Sequence, residues 1–254
     1  VLDIVRDPRW SRTEESYGED RYLTARIGEA YVRGTGSGDL SQPRHALSTL
    51  KHFIAYGASE GGQNGGSNLL GERELRETYL PPFEAAVKAG ARSVMTAYNS
   101  VDGIPCTANR RMLTDILRGE WGFQGYIVTD LVNPATYMTW KESVAAGTTN
   151  FDSVDIKEEW YAYLNHDGNT LGGDAKILRR LKEAVHHTLY VLANSNRMNA
   201  VNTSAKMVEV SNWWRVSYRT AKIGGFAAAC AGLLGYVAIC CISIMAKKKE
   251  ERTA

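Results

Sequence analysis

Apolar and polar positions alternate on two length scales over the first 200 residues. Short apolar runs at Val1–Val5, Leu50–Ala55, Ser93–Tyr98 and Tyr126–Thr129 have the length of buried strands. Between and after them, Tyr22–Arg33, Glu72–Ala89, Arg110–Glu120 and Ala175–Ala193 place apolar residues three and four apart, which predicts helices with one buried stripe. Ser143–Ala146 is short enough to be either. Strand–helix alternation predicts a parallel sheet with right-handed crossovers, closed as a barrel or open and doubly wound. Strand spacings of about 30–50 residues suit the barrel with elaborated loops. Four or five strands fall short of eight, so the expected α/β fold is a partial (β/α) TIM-type barrel over residues 1–200, with closure needing sequence before Val1.

The C-terminal end has a different pattern. Ile223–Ala246 runs 24 residues without a charge. At about 1.5 Å per residue such a helix reaches about 36 Å, enough to cross a hydrocarbon layer of about 30 Å. Trp213, Trp214 and Tyr218 precede it like an interfacial belt, and Lys247, Lys248 and Lys249 stop it. The chain therefore divides into a partial barrel (1–200), a juxtamembrane linker (201–222), a transmembrane helix (223–246) and a charged tail (247–254). Membrane lipid becomes an expected partner. Arg215, Arg219 and Lys222 on one flank face Lys247, Lys248, Lys249 and Arg252 on the other, a one-charge excess that places the tail in the cytoplasm and the barrel outside.

Composition narrows the function. The net charge is +2 and no basic cluster with interleaved aromatics lies outside the tail, which argues against nucleic acid as a partner. Cys106 stands alone, while Cys230, Cys240 and Cys241 lie in the apolar run, so neither a disulfide framework nor a metal site is expected. No nucleotide, flavin or metal motif is present, and no cofactor is expected. The chain opens with Val1 inside an apolar run, the expectation being a fragment or a processed product.

Three successive strands carry polar residues that an apolar core would reject: Lys51 and His52, then Tyr98 and Asn99, then Asp130. In a barrel these meet at the C-terminal rim, where active sites of this architecture lie. Their context is specific. DPRWSRTEESYGED (7–20), KHFIAYG (51–57), GERELRETYLPPFEAAVKAG (71–90), SVMTAYNSVDGIPCTANRRMLTDILRGEWGF (93–123) and GYIVTDL (125–131) occur in collinear order. This set resembles glycoside hydrolase family 3, on the β-glucosidase and β-xylosidase side. The resemblance implies exo-acting hydrolysis of β-linked oligosaccharides or glycosides with retention of configuration. Asp130, in Val128-Thr129-Asp130, aligns with the nucleophile. Lys51 and His52 match the pair that holds sugar hydroxyls, Arg12 a sugar-binding arginine, and Tyr98 the tyrosine beside the nucleophile. Ser11 replaces the glycine of the Arg-Trp-Gly-Arg run, Leu131 the tryptophan after the nucleophile, and Gln63 an arginine. Lys-His-Phe-Ile-Ala-Tyr-Gly differs from the Lys-His-Phe-Pro-Gly-His-Gly of the N-acetylglucosaminidases, which argues against that branch.

In the β-glucosidase branch the resemblance also implies an acid/base glutamate on an α/β sandwich domain. About 25 residues separate Asn196 from the apolar run, too few for a domain, so the sandwich is expected upstream and the isolated chain is expected to be inactive. Alternatives are the same chemistry on another sugar, by a β-xylosidase or exo-β-glucanase, or a non-catalytic tethered sugar-binding protein. Glu72 and Arg76 read as a solvated i,i+4 pair, and His186-His187 as packing residues of the last amphipathic helix.

Overall fold

The structure is a computed structural model that describes residues 1–36, 46–131, 140–152, 174–195 and 212–253. It forms two compact units, Val1–Val201 and Asn202–Ala254.

The first unit alternates strands and helices. Helix α1 (Arg21–Gly34) starts where the Asp20 side chain accepts from the Tyr22 and Leu23 backbone N–H groups, an N-cap that satisfies two otherwise orphaned donors. Strand β1 (Thr49–Phe53) leads to the two-residue β2 (Ser67–Asn68) and to helix α2 (72–88), which is π-wound at Leu75–Tyr79. Then come β3 (Ser93–Thr96), β4 (Ser100–Val101), β5 (Ile104–Pro105), the π-wound helix α3 (Arg111–Glu120) and β6 (Tyr126–Val128). Helices α4 (Trp140–Ala146) and α5 (Ala175–Ala193) follow. The segment at 143–146, which the pattern left open, is helical.

β1, β3 and β6 pair in that order, all parallel. Backbone contacts extend this sheet on both sides. Beyond β6, Val128 bridges Asn150 in parallel. Beyond β1, the Leu2 N–H donates to the Lys51 carbonyl at 2.6 Å. Val1–Val5 thus runs beside β1 as the apolar run predicted, although it lacks the regular ladder of a strand. Chain order equals spatial order in five adjacent extended segments, as crossovers of a single hand require. A feature absent from the sequence pattern is the small sheet of β2, β4 and β5, whose members are only two residues long.

Phe53, Val94 and Ile127 from the three paired strands are fully buried, against Phe83 of α2 and Leu113 and Ile116 of α3. Helices α2 and α3 are also tied at the surface. Arg76 binds Glu72 at 2.5 Å within α2 and Glu120 of α3 at 2.8 Å, and Arg111 of α3 reaches back to Glu72. The Glu72–Arg76 pair is therefore part of a four-residue network. His187 faces the Gln124 carbonyl at 2.8 Å, a packing position.

The second unit contains helix α6 (Trp213–Thr253). Trp213–Met245 is long and apolar enough to cross a membrane, with a mean hydropathy of 2.2 over its most apolar 18 residues.

Candidate active site

Two successive side chains of a regular strand point to opposite faces, yet Lys51 and His52 serve one site. The register explains this. Leu50 pairs with Val94 and Phe53 with Thr96, so β1 holds one more residue than β3 between the two pairings. The extra residue is a bulge, which re-aims side chains locally. The Lys51–His52 and Phe53–Ile54 peptide bonds are both cis.

Immediately after β1 the backbone needs polar support, because its carbonyls have no ladder partner. The Asn99 amide donates to the Ile54 carbonyl at 3.0 Å, and the Asn68 amide to that of Ala55 at 2.7 Å. Both asparagines are buried. Asn99, which the pattern grouped with the rim residues, thus supports the backbone beneath them.

Arg12 arrives on a separate loop. The Arg6 and Asp7 N–H groups donate to the Gly57 carbonyl, and Trp10 is buried with its ring edge-on to Tyr56 at 5.2 Å. Gly57 is required here: a Cβ would lie 2.6 Å from the Ile4 carbonyl oxygen. Among the described non-glycine residues only Ala55 and Asp102 have positive φ, so Ser11 replaces the family's glycine without backbone strain.

The residues expected from the sequence converge. Asp130 lies two positions beyond β6, at the C-terminal end of the parallel strands. Its Oδ2 is 3.4 Å from His52 Nε2 and 3.7 Å from the Arg12 guanidinium. The Tyr98 hydroxyl donates to the Leu131 carbonyl at 2.7 Å. Burial raises the Tyr98 phenol pKa, and the nearby Asp130 charge adds to the rise. Lys51 joins through an intermediary, with Nζ 3.6 Å from Glu15. Leu131, which stands in place of the tryptophan of the resembled motif, is exposed.

Three residues enter that motif matching did not single out. Glu15 receives two bonds from the Arg12 guanidinium, at 2.6 and 2.9 Å, and this fork holds its carboxyl down at about 2. The same contact raises the Arg12 pKa. Tyr56 packs edge-on to His52 at 5.1 Å and to Tyr98 at 5.9 Å, with Arg12 over its ring. Its phenol is pushed up to about 12 by burial, against the pull of Arg12. Asp3, fully buried, accepts from the His52 backbone N–H at 3.0 Å and meets its ring Nδ1 at 2.9 Å. Asp3 had a visible signal, being the lone charge in Val1-Leu2-Asp3-Ile4-Val5. Glu15 lay inside a matched motif, but nothing local marked it as a partner of Lys51.

Buried polar groups without partners are rare in folded proteins. Eleven buried side-chain atoms among the described residues make no hydrogen bond, and three of them, Asp3 Oδ1, His52 Nε2 and Asp130 Oδ2, lie in adjoining residues. The 3.4 Å approach of His52 to Asp130 is not aligned as a hydrogen bond. The cluster thus sets the Asp130 carboxylate beside the Arg12 guanidinium and the His52 ring, with Oδ2 making no hydrogen bond.

Comparison with known proteins agrees with this arrangement. The family model for the glycosyl hydrolase family 3 N terminal domain matches residues 1–150. The chain is 50% identical over 134 residues to a beta-xylosidase of Formosa agariphila, covering 51% of this chain and 18% of that protein. It is 34% identical over 198 residues to a periplasmic beta-glucosidase of Salmonella typhimurium, covering 75% and 26%. The crystal structure of a Listeria innocua beta-glucosidase in complex with glucose superposes with a TM-score of 0.64 at 34% identity, covering 78% of this chain and 29% of that one. The chain thus spans only about a fifth to a quarter of the length of these curated relatives. With the family model covering more than half of its residues, the chain belongs to glycosyl hydrolase family 3.

Proposed function

We propose that this chain carries the nucleophile half of a retaining, exo-acting β-glycosidase, with Asp130 forming a covalent glycosyl ester. The observation that carries this reading is the Oδ2 of Asp130, which makes no hydrogen bond and is held at a parallel strand end beside His52 and Arg12. Fixed placement suits attack on an anomeric carbon, since pre-orientation removes much of the entropic barrier. The relatives named beta-glucosidase and beta-xylosidase support the substrate class, and the glucose complex of the Listeria enzyme supports a sugar as the ligand.

Each side chain has a part in this scheme. Arg12, Lys51 and His52 hold ring hydroxyls, with Glu15 locking Arg12 and Lys51 in place. Tyr98 and Tyr56 remain phenols at neutral pH and steady the carboxylate and the ring of His52. Asp130 Oδ2 attacks C1, the C1–O bond to the leaving group breaks, and the leaving oxygen takes a proton. Glu15 is unsuited to give that proton, because Arg12 keeps it ionised to about pH 2. Asp3 lies behind His52. The donor expected from the resemblance is a glutamate of the sandwich domain. The five parallel segments then form part of a (β/α) barrel, α6 anchors it in a membrane, and the site faces away from the cytoplasm, as the name of the periplasmic relative suggests.

The second reading changes only the sugar. The 50% identity to a beta-xylosidase favours a pentose as strongly as the other relatives favour glucose. Labelling with 2,4-dinitrophenyl 2-deoxy-2-fluoro glucoside and xyloside tests both readings. This leaving group departs without protonation, so the missing acid does not interfere. A stable adduct mapped to Asp130 is expected, and the sugar that labels faster identifies the specificity. An adduct elsewhere, or none with either sugar, sinks the proposal.

A further inference from the structure

Resting on the proposed nucleophile, we infer that Asp3 is a positioning residue of this site, acting through His52 to fix which ring nitrogen faces Asp130. The geometry is specific. One oxygen, Asp3 Oδ2, meets both the His52 backbone N–H (3.0 Å) and ring Nδ1 (2.9 Å). A carboxylate oxygen accepts only, so the Nδ1 facing it carries the hydrogen. Nε2 is thereby the nitrogen left to face the proposed nucleophile, 3.4 Å from Asp130 Oδ2. Neither Nε2 nor Asp130 Oδ2 makes an aligned hydrogen bond there. A sugar hydroxyl reaching this point finds a ring nitrogen and a carboxylate oxygen that no other group engages in a hydrogen bond.

The ring cannot readily turn to escape this arrangement. Tyr56 packs edge-on against it, and both His52 and Asp3 are buried. Asp3 itself is anchored by the contact of the Leu2 N–H with the Lys51 carbonyl, one residue away on each of the two segments. The outermost extended segment thereby sets the chemistry of a side chain on the neighbouring strand. A buried carboxylate with a spare unpartnered oxygen is costly for a core, and orienting a histidine is a recurrent use for one.

The test is a double-mutant cycle on the full chain, read as the second-order rate of labelling at Asp130 by the dinitrophenyl fluoroglycoside. Asp3→Asn keeps the shape and removes the charge, and is expected to slow labelling by about 10–100-fold. In a His52→Gln background the same change is expected to cost less than about twofold, because the two residues act as one unit. Equal losses in both backgrounds would mean that Asp3 acts on the fold alone, and would overturn the inference. Failure of the wild-type chain to label at Asp130 sinks the proposed function instead. In that event, or if Asp3→Asn does not fold, the ring-nitrogen shifts of 15N-histidine-labelled chain in detergent decide the matter. A hydrogen on Nδ1 of His52, with or without one on Nε2, supports the inference, and an Nδ1 without one refutes it.

Discussion

Asp130 and Glu15 share the Arg12 guanidinium and differ in what it does to them. With Glu15 the guanidinium makes a two-bond fork, whereas with Asp130 it stays 3.7 Å away. The fork lowers the Glu15 pKa to about 2 from an ordinary 4.5. A depressed folded-state pKa adds stability above the unfolded value and loses it as pH falls through the folded one. Glu15→Gln is therefore expected to unfold at a lower temperature than wild type at pH 6. The difference should begin to close below about pH 4.5 and vanish near pH 2. Glu15 is a third exposed, so the effect is within about 1 kcal/mol. A gap that widens with acid would contradict the assignment. Arg12, Lys51, His52, Tyr98 and Asp130 were legible in the sequence because each sits in a motif. Asp3 was not assigned because its partner His52 is 49 residues away, and Glu15 because only folding brings Lys51, 36 residues on, to the carboxylate that Arg12 holds from three residues away.

At the scale of elements, periodicity located the strands and helices but not their irregularities. The run Leu50–Ala55 became β1 at Thr49–Phe53, yet the bulge that turns Lys51 and His52 to one site depends on pairing with β3. Helix Arg110–Glu120 was visible from its apolar spacing, whereas its π winding was not. The two-residue strands of the second sheet are too short to have a period. Gly125 was quoted only as part of a motif, and packing gives it a reason. A Cβ there would lie 2.0 Å from the Arg92 carbonyl oxygen and 2.5 Å from the Phe123 ring. The neighbouring Tyr126 N–H donates to that same carbonyl at the start of the β3–β6 pairing. Gly125→Ala is accordingly expected to destabilise the fold by about 1–3 kcal/mol, the range for overpacking. It should also slow Asp130 labelling in the molecules that remain folded, since β6 carries Asp130. Chemical denaturation with labelling on the same sample checks both. A neutral effect on stability would show that β6 can shift away from β3 freely.

For the whole molecule, the question is what α6 does. Its apolar residues are exposed over the entire span, including Phe226, Leu233, Leu234, Val237, Ile239 and Ile242. A helix of a soluble core buries such residues, so water is an implausible surrounding for this one. Lipid satisfies it without further contacts, because the helix closes its own backbone hydrogen bonds. Trp213 and Trp214 before the span, and the lysine triplet after it, suit the two polar boundaries. The full chain is therefore expected to sediment with membranes and to resist alkaline carbonate extraction. Arginine at mid-span costs about 2.5–3.5 kcal/mol per residue on an insertion scale. Leu233→Arg combined with Leu234→Arg should consequently move the chain to the carbonate-soluble fraction. Asp130 labelling in detergent should be unchanged, since these residues belong to the other compact unit. Wild-type chain released by carbonate would rule out the anchor while leaving the site intact. Loss of labelling in the double variant would instead mean that the helix supports the catalytic unit, a role that lipid insertion alone does not give it.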